Sequence, residues 1–264
     1  MLKRIKLFVN NNDESKKNSF IIANKFNNNG FTIVDKGYDL AIAVGGDGSF
    51  LRMVKSNEFN SNISYVGINS GHLGFLQEVT MNDLDEFIDE LISNKYRTGE
   101  VSIQESNIYS NGKRDKYLSL NEIVIKDILG KVVDLNVCIN NDLLEIYKGD
   151  GLLIATTLGS TAQNLGYGGS IVFNTLPTLQ ITSMAPINSK SYRSLLNSVI
   201  IPEGNEIIIT PVNNKNNYGI IIDGEFNNYN NVEKISTKLS DNKIKCLRFS
   251  HYNYAQKIQD KLLS

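Results

Sequence analysis

The stretch Val44-Gly45-Gly46-Asp47-Gly48-Ser49 decides the predicted fold, because it places a glycine turn directly after an apolar run at 40–44. That run predicts a buried strand, and Ser49 is predicted to begin a helix. The two glycines after the strand can take backbone angles closed to other residues, so N–H groups can approach a phosphate without interference from Cβ atoms. The pattern therefore predicts an anion-binding loop at a helix N-terminus, formed by Gly45, Gly46, Gly48 and Ser49.

Asp47 lies in the middle of this loop, and the presence of a negative charge at a predicted anion-binding site has to be explained. A carboxylate among phosphate-binding groups repels the ligand that the glycines attract, so a purely structural role would be costly. Its useful roles there are metal binding, hydroxyl orientation or hydroxyl deprotonation. A tight turn capped by an aspartate is the alternative, because short glycine motifs also occur by chance.

The sequence around this loop alternates between strands and helices as far as Arg97. Apolar runs predict strands at 5–9, 31–34, 40–44 and 63–68, and helical periodicity predicts helices at 13–27 and 50–56. Thr80 is predicted to cap a further helix. This alternation predicts a parallel sheet with helices on its faces, and ligands beyond the C-terminal ends of its strands. The loop at 69–76, which contains His72, is expected at the same edge as Asp47.

After Arg97 the pattern changes to short strands separated by turn residues, which predicts an all-β layered domain that begins near Thr98. Asn111-Gly112 is a strong hairpin signal between runs at 101–109 and 116–126, and Asn140-Asn141-Asp142 joins runs at 132–139 and 143–147. Further strands are predicted at 152–155, 199–201, 206–210, 218–222 and 244–249, followed by a last helix at 254–263.

Composition and charge exclude several classes of protein. The 27 Lys and Arg residues nearly balance the 28 Asp and Glu residues, so the net charge of -1 favours neither nucleic acid nor an anionic membrane as a partner. Cys138 and Cys246 provide no disulfide framework, and two histidines, His72 and His251, exclude a His-rich zinc site. The N-terminal apolar run is too short for a signal peptide and no long apolar segment follows, so a cytoplasmic protein is expected.

Four further stretches place polar residues or glycines where a regular strand would not have them: Asn121-Glu122, Lys148-Gly149-Asp150-Gly151, the stretch 158–169 and Asp223-Gly224. Taken singly, an edge pair, a β-turn or a hairpin explains three of them equally well. The stretch 158–169 is more informative, because its small residues let a ligand lie against bare backbone. Ser160 and Thr161 supply hydroxyl groups there for phosphate or ribose oxygens.

Together and in this order, these stretches resemble the NAD kinase family, whose members use ATP to phosphorylate the 2′-hydroxyl of the adenosine ribose of NAD. Gly45-Gly46-Asp47-Gly48 is similar to the family's GGDG motif, Asn121-Glu122 to its NE pair, and the stretch 158–169 to its TGSTAYNLSAGG-like segment. The stretch 187–191 and Asp223-Gly224 also match. Turns similar to GGDG occur in diacylglycerol kinases, sphingosine kinases and phosphofructokinases, so the order and spacing of the motifs carry the resemblance.

The resemblance implies an α/β first domain, residues 1–97, to which the final segment, residues 251–264, returns; residues 98–250 form the β domain. It implies that Asp47 is the general base, with ATP, Mg²⁺ delivered with ATP, and NAD as ligands. No residue of the chain is expected to form a separate metal site. The implied NAD-binding residues are Asp47, Gly48, Phe75, Asn121, Glu122, Lys148, Asp150, Leu158, Thr161, Ala162, Gln163, Asn164, Leu165, Gly166, Ala185 and Asp223.

Two departures from the family pattern affect this interpretation. Thr157 replaces a common proline, which is expected to alter loop stiffness, and Gln163 replaces a common tyrosine that would contact the ligand. The alternatives are another GGDG kinase, acting on a sugar or a lipid, and a nucleotide sensor that has lost turnover. Family likeness also suggests a homodimer or a homotetramer.

Overall fold

The computed structural model describes residues 2–70, 74–190, 192–213 and 217–263. The predicted ligand loop at 69–76 therefore includes three residues, 71–73, that lie outside the described part, as does residue 191 of the stretch 187–191. The chain divides into two compact units, which we call unit 1 (Met1–Val101 with Lys243–Ser264) and unit 2 (Ser102–Asn242).

The elements of unit 1 come first in the chain: β1 (Arg4–Val9), α1 (Asp13–Asn28), β2 (Thr32–Ile33), β3 (Leu40–Val44), α2 (Asp47–Ser56), β4 (Ser64–Ile68) and α3 (Leu84–Ser93). The following elements are β5 (Arg97–Ser110), β6 (Lys113–Ser119), β7 (Glu122–Asp127), β8 (Val133–Ile139), β9 (Asp142–Gly149), β10 (Gly151–Thr156), a 3₁₀ turn (Leu158–Thr161), α4 (Gln163–Gly166), β11 (Thr178–Met184), β12 (Val199–Pro202), β13 (Glu206–Pro211), β14 (Tyr218–Ile222) and β15 (Glu225–Tyr229). The last elements are β16 (Val232–Arg248) and α5 (Tyr254–Leu262).

The units part at 101/102 and 242/243, four residues after the predicted domain boundary at 97/98 and eight residues before the one at 250/251. Each parting point falls inside a continuous strand, β5 or β16. Ser240, Asp241 and Asn242 are turn-forming residues just before 242/243, yet β16 continues through them. A sequence pattern therefore does not show where one unit ends when a single strand crosses the boundary.

Unit 1 is built on a parallel sheet with the strand order β2-β1-β3-β4-β16, in which only the end of β16 takes part. β3 is fully buried, as expected for a strand with helices on its faces. Its side chains share a core with Ile22 and Phe26 of α1 and with Leu84 and Phe87 of α3. This confirms the α/β class predicted for the first domain.

Two helix starts differ from the sequence prediction. α2 begins at Asp47 rather than near Ser49, with Gly46 as its N-cap, so Asp47 lies in the first turn, where a carboxylate interacts favourably with the helix dipole. α3 begins at Leu84 with Asp83 as its N-cap, so the prediction that Thr80 caps this helix was wrong. The Thr80 hydroxyl instead donates to the Asp83 carboxylate over 2.5 Å.

Unit 2 is a layered β structure. One antiparallel sheet has the order β12-β11-β10-β7-β14-β15. In the other group of strands, the first part of β16 pairs with β13, β13 pairs with β8, and β8 pairs with β9, all of them antiparallel. Ile123 and Ile125 of β7 pack in the same core as Leu135 and Val137 of β8, which places the two groups of strands face to face. The layered β fold predicted for the second domain is therefore confirmed.

The last helix, α5, belongs to unit 1, which confirms the predicted return of the C-terminal segment to the first domain. The Asn253 side chain caps it by accepting from the N–H groups of Ala255 and Gln256 at 3.0 and 3.3 Å. Among the described residues, no helix combines the length and the apolar character needed to span a membrane.

Candidate functional site

The glycine loop of unit 1 links β3 to α2. Gly45 has a φ of 149°, in the region that favours glycine, and a Cβ there would lie 2.5 Å from the Ser49 hydroxyl oxygen. Gly46 differs from the expectation, since its φ of -95° is open to any residue and a Cβ there would meet nothing within 4 Å. The missing side chain of Gly46 therefore leaves open space at the start of α2, where unbonded N–H groups attract anions.

The Asp47 carboxylate is held by backbone donors. Its Oδ2 accepts the Phe75 N–H over 2.8 Å, and its Oδ1 accepts the Leu76 N–H over 2.9 Å. Gly74 packs so closely against this carboxylate that a Cβ at Gly74 would lie 1.9 Å from Oδ1. A carboxylate has about four lone-pair positions, so these two bonds orient Asp47 and still leave acceptor capacity for a substrate hydroxyl.

Arg52 is a candidate residue that the sequence reasoning missed. It lies one turn along α2 from the glycine loop, and its Nη2 donates to Asn10 Oδ1 over 2.9 Å and to Ser49 Oγ over 3.2 Å. Its Nη1 would be 3.3 Å from a Cβ at Gly48. The sequence contained a signal for this role, because Arg52 lies three residues after Ser49 and four after Gly48, and residues with these spacings share a helix face.

In unit 2, Asp223 gathers the residues around the NE pair. Its carboxylate accepts N–H groups from Leu120, Asn121 and Glu122 at 2.8, 2.7 and 3.2 Å. Its own φ of 46° places it in the left-handed region, one residue before Gly224. The structure thus brings together three predicted NAD-binding residues that are about a hundred positions apart in sequence.

Asn121 and Glu122 carry buried polar atoms that the protein leaves unused. Asn121 Oδ1 and Glu122 Oε2 have no hydrogen-bond partner among the described residues. Burial, and then repulsion from the nearby Asp223 carboxylate, raises the pKa of Glu122 to about 8. Buried polar atoms are normally paired, so these atoms indicate a place where a polar ligand completes the network.

The stretch 158–169 packs directly on this pair. Gly159 lies so close that a Cβ there would be 2.1 Å from the Asn121 carbonyl oxygen, and its N–H donates to Thr156 Oγ1 over 3.1 Å. Asn164 is fully buried, and its Oδ1 accepts the Thr182 hydroxyl over 2.6 Å. The chain therefore uses Asn164 to hold the turn. The other predicted ligand residues in the stretch are half-buried or exposed: Leu158, Thr161, Ala162, Gln163, Leu165 and Gly166.

Asp150 and Ala185 line a cavity of about 250 Å³ in unit 2 together with Lys126, Tyr167 and Met184. The Asp150 N–H donates to the Met184 carbonyl over 3.0 Å, which holds the two sides of this cavity together. Lys148 lies in an ion pair with Asp134 at 2.8 Å, and its ammonium is 4.0 Å from the centre of the Tyr192 ring. The hydrogen bond with Asp134 raises the pKa of Lys148.

One group of side chains in unit 1, Glu86, Glu90 and His251, has ligand atoms within 4.8 Å of one another. The Glu90 carboxylate already accepts the Ser250 N–H over 2.9 Å, as well as the Ser250 hydroxyl. His251 stacks on Phe249 with ring centres 4.9 Å apart. These contacts account for the grouping without a metal ion.

Comparison with known proteins identifies the family. Residues 6–96 match the model of the ATP-NAD kinase N-terminal domain, and residues 120–249 match that of the ATP-NAD kinase C-terminal domain. The chain belongs to the ATP-NAD kinase family. This confirms the resemblance predicted from the motifs, and both family domains contain predicted site residues.

Relatives in the ATP-NAD kinase family match almost the full length of the chain. The NAD kinase of Finegoldia magna is 38% identical over 271 residues, which cover 99% of this chain and 98% of that protein. NAD kinase 1 of Oceanobacillus iheyensis is 32% identical over 98% of each chain. The crystal structure of yeast NADH kinase complexed with NADH has the same fold, with a TM-score of 0.83 and 20% identity over 99% of this chain and 87% of that one.

The residue that departs from the usual proline of the ATP-NAD kinase pattern, Thr157, has a structural role of its own. Its hydroxyl donates to the Leu176 carbonyl and lies 3.2 Å from the Thr178 hydroxyl. Its φ of -55° matches the angle that a proline ring imposes. The threonine thus keeps the backbone angle of a proline and ties the turn to β11, which goes beyond the altered stiffness expected from the sequence.

Proposed function

We propose that the protein is an NAD kinase, which transfers the γ-phosphate of ATP to the 2′-hydroxyl of the adenosine ribose of NAD to form NADP. The observation that carries this proposal is the Asp47 carboxylate, which two backbone N–H groups orient beside a glycine loop at a helix N-terminus. Membership of the ATP-NAD kinase family supports the choice of substrates.

Unit 1 supplies the groups for phosphate binding. The start of α2 offers backbone N–H groups and a partial positive charge, and Arg52 offers a guanidinium beside Gly48 and Ser49. Phosphoryl transfer has a loose transition state, so positioning and neutralisation of phosphate charge account for most of the rate enhancement. We assign Gly46, Gly48, the Ser49 hydroxyl and Arg52 to this task, because the N–H groups of Gly45 and Ser49 already donate to the Ile68 and Gly46 carbonyls over 3.0 and 2.9 Å.

Asp47 acts on the hydroxyl of the acceptor. A carboxylate is a far weaker base than the alkoxide of a sugar hydroxyl, so early deprotonation is not its task. Its free lone pairs hold the 2′-hydroxyl in line and accept the proton as the new P–O bond forms. The bonds from Phe75 and Leu76 fix the direction of those lone pairs.

Unit 2 supplies the contacts to NAD. We assign Asn121 Oδ1 and Glu122 Oε2, buried without partners among the described residues, to the ribose hydroxyl groups. With a pKa of about 8, Glu122 carries a proton at neutral pH and offers both a donor and an acceptor. The same assignment includes Lys148, Asp150, Ala185, Asp223 and the stretch 158–166, except for Asn164, whose side chain holds the turn.

Mg²⁺ enters with ATP in this proposal. The ion prefers near-octahedral oxygen ligands and is commonly held by substrate phosphates and one or two carboxylates. Asp47 is a carboxylate that fits such a site, but two of its lone pairs already accept backbone N–H groups. Phosphate oxygens therefore provide most of the ligands, and the ion neutralises their charge when it is bound.

A homo-oligomer is the assembly that the surface of unit 2 supports. β9 lies at the end of its sheet and exposes Leu143, Leu144 and Ile146 by 58%, 37% and 51%. A long apolar strand in this position is a template for pairing, and a second copy of the chain would cover it. The cytoplasmic location also remains a proposal, supported by the free thiols of Cys138 and Cys246.

A coupled assay with NAD, ATP and Mg²⁺ tests the activity by measuring NADP with an NADP-specific dehydrogenase. Formation of NADP at a rate that depends on ATP supports the proposal. Turnover of a sugar or lipid alcohol without NADP formation would favour another GGDG kinase. Tight NAD binding without turnover would favour a nucleotide sensor. Sedimentation of the wild type and of Ile146→Lys tests the assembly, and the variant is expected to dissociate.

A further inference from the structure

The C-terminal helix of unit 1 carries a buried lysine that contacts the segment holding Asp47. The Lys257 ammonium donates to the Gln77 carbonyl over 2.6 Å and lies 3.4 Å from Glu78 Oε2. The side chain of Lys257 is only 10% exposed. Gln77 directly follows Leu76, whose N–H bonds to Asp47 Oδ1. The anchor point of Lys257 is therefore adjacent in the chain to the donors that orient the carboxylate.

The segment from Phe75 to Glu78 is fixed on its other side by β4 and β16. The Glu78 N–H donates to the Gly67 carbonyl over 2.9 Å, and the Glu78 carboxylate accepts Arg248 Nη1 over 3.1 Å. The Gln77 side chain is fully buried, and a Cβ on Gly67 would lie 2.1 Å from its Oε1. Lys257 completes this arrangement from a distant part of the chain.

We propose that Lys257 is a positioning residue: by holding the Gln77 carbonyl and the Glu78 carboxylate, it fixes the Phe75 and Leu76 N–H groups that orient Asp47 for the transfer step. The inference rests on the proposed function of Asp47. It extends the catalytic machinery to helix α5, which the motifs of the sequence do not include.

The electrostatics of Lys257 give this role a signature in pH. Burial is the main cause that lowers the pKa of its ammonium to about 8, and the positive charge of Arg248 lowers it further. The negative charges of Glu78 and Asp47 act in the opposite direction. The Tyr252 ring also faces the ammonium, with its centre 5.6 Å away. The adjoining cavity contributes Asp83, Glu86, His251 and Asp260. Above pH 8 Lys257 becomes neutral, its hold on the Gln77 carbonyl and Glu78 weakens, and kcat falls.

Three variants separate positioning from a structural role. Lys257→Met removes the donor but leaves the Glu78–Arg248 pair intact, so the net charge of this buried group changes from +1 to neutral and the fold is retained. Lys257→Arg keeps a donor that does not titrate in this range, and the cavity of about 250 Å³ beside it gives room for the larger side chain. Lys261→Met, one turn along α5, removes a charge that acts on Asp47 as the charge of Lys257 does, but it leaves the bond from Lys257 to the Gln77 carbonyl in place.

Steady-state kinetics test the proposal on the full-length protein. Lys257→Met is expected to lower kcat by at least about tenfold while KM for NAD changes by less than roughly twofold. Lys257→Arg should restore kcat and remove its fall above pH 8. Lys261→Met should retain most of kcat. An equal loss in Lys261→Met, or an unchanged kcat in Lys257→Met, would overturn the proposal.

Hydrogen exchange provides a test that does not depend on turnover. In Lys257→Met the amides of Phe75 and Leu76 should exchange faster, while those of the β3 core remain protected. If the wild type forms no NADP, the proposed function fails, yet this measurement still decides whether Lys257 holds the segment. Unchanged exchange at both amides would refute the positioning role.

Discussion

At the scale of single residues, the bonds to Asp47 allow its chemical role to be separated from its structural one. Asp47→Asn keeps the size and one acceptor oxygen, but it removes the negative charge, the proton acceptor and one of the two bonds from the Phe75 and Leu76 N–H groups. We expect kcat to fall by at least about 10²-fold, with NAD binding and folding intact. Isothermal titration with NAD checks that binding is intact, and a thermal unfolding curve checks that folding is intact. A loss of unfolding temperature that parallels the loss of activity would instead assign Asp47 to capping the turn.

Gln163 is the residue at which this chain differs from the family pattern at an expected ligand contact. It is exposed at the first position of α4, so a larger side chain can be accommodated. Aromatic stacking on a base contributes roughly 1–3 kcal/mol, and an amide offers less contact area. Gln163→Tyr should therefore tighten NADP binding by up to about tenfold in a calorimetric titration. Weaker binding would mean that neighbouring residues already fill the space, and an unchanged Kd that position 163 does not face the ligand.

At the scale of elements, α5 has limited anchoring of its own. Its residues are half-buried or exposed overall, although the Lys257 side chain is only 10% exposed, and its cap and the bonds of Lys257 contribute to holding it in place. Asn253→Ala removes the acceptor of two N–H groups, which costs about 1 kcal/mol at a helix N-terminus. The amides of α5 should then exchange faster, and kcat should fall through Lys257. Asn12→Ala, which removes the equivalent cap of α1, is the matched control and should leave the α5 amides unchanged.

Sequence reasoning located most elements, and one of those it missed, β11, has polar residues that face inward. β11 was not predicted, because Gln180 and Thr182 are buried there and interrupt the apolar pattern. Gln180 Oε1 accepts the Ser170 N–H over 2.6 Å, so these side chains serve the turn at 158–169 rather than the core. The predicted strand at 116–126 is in fact β6 and β7, separated where Asp223 binds the N–H groups of Leu120 and Asn121.

At the scale of the whole molecule, the fold class and the family followed from the sequence because glycine turns and alternating patterns are local signals. The supports of the candidate site are long-range contacts, which a single sequence does not display. Arg248 and Lys257 lie 170 and 179 positions after Glu78, yet both contact its carboxylate. The same holds for Asp223, which lies 102 positions after the Asn121 N–H that it accepts.

Glu122 links the candidate site to the stability of the molecule. Its folded-state pKa of about 8 lies above the ordinary value of 4.5, so the folded chain binds its proton more tightly than the unfolded chain. The tighter binding of this proton stabilises the folded state, and its contribution to the free energy of unfolding is fully present below pH 4.5 and is lost as the pH rises through about 8. The slope for one proton is at most about 1.4 kcal/mol per pH unit.

Glu122→Gln keeps the shape of the side chain and cannot ionise, so its free energy of unfolding should lack this decline. Urea denaturation of both proteins at several values between about pH 5 and 8 measures the difference, which should grow in favour of the variant as the pH rises. Glu105→Gln is the matched control, since the hydrogen bond from Lys116 lowers the pKa of Glu105 and places its titration below this window. A difference between wild type and Glu122→Gln that stays constant with pH would show that the fold does not favour the protonated carboxyl, and it would remove the donor that we assign to Glu122 in binding ribose.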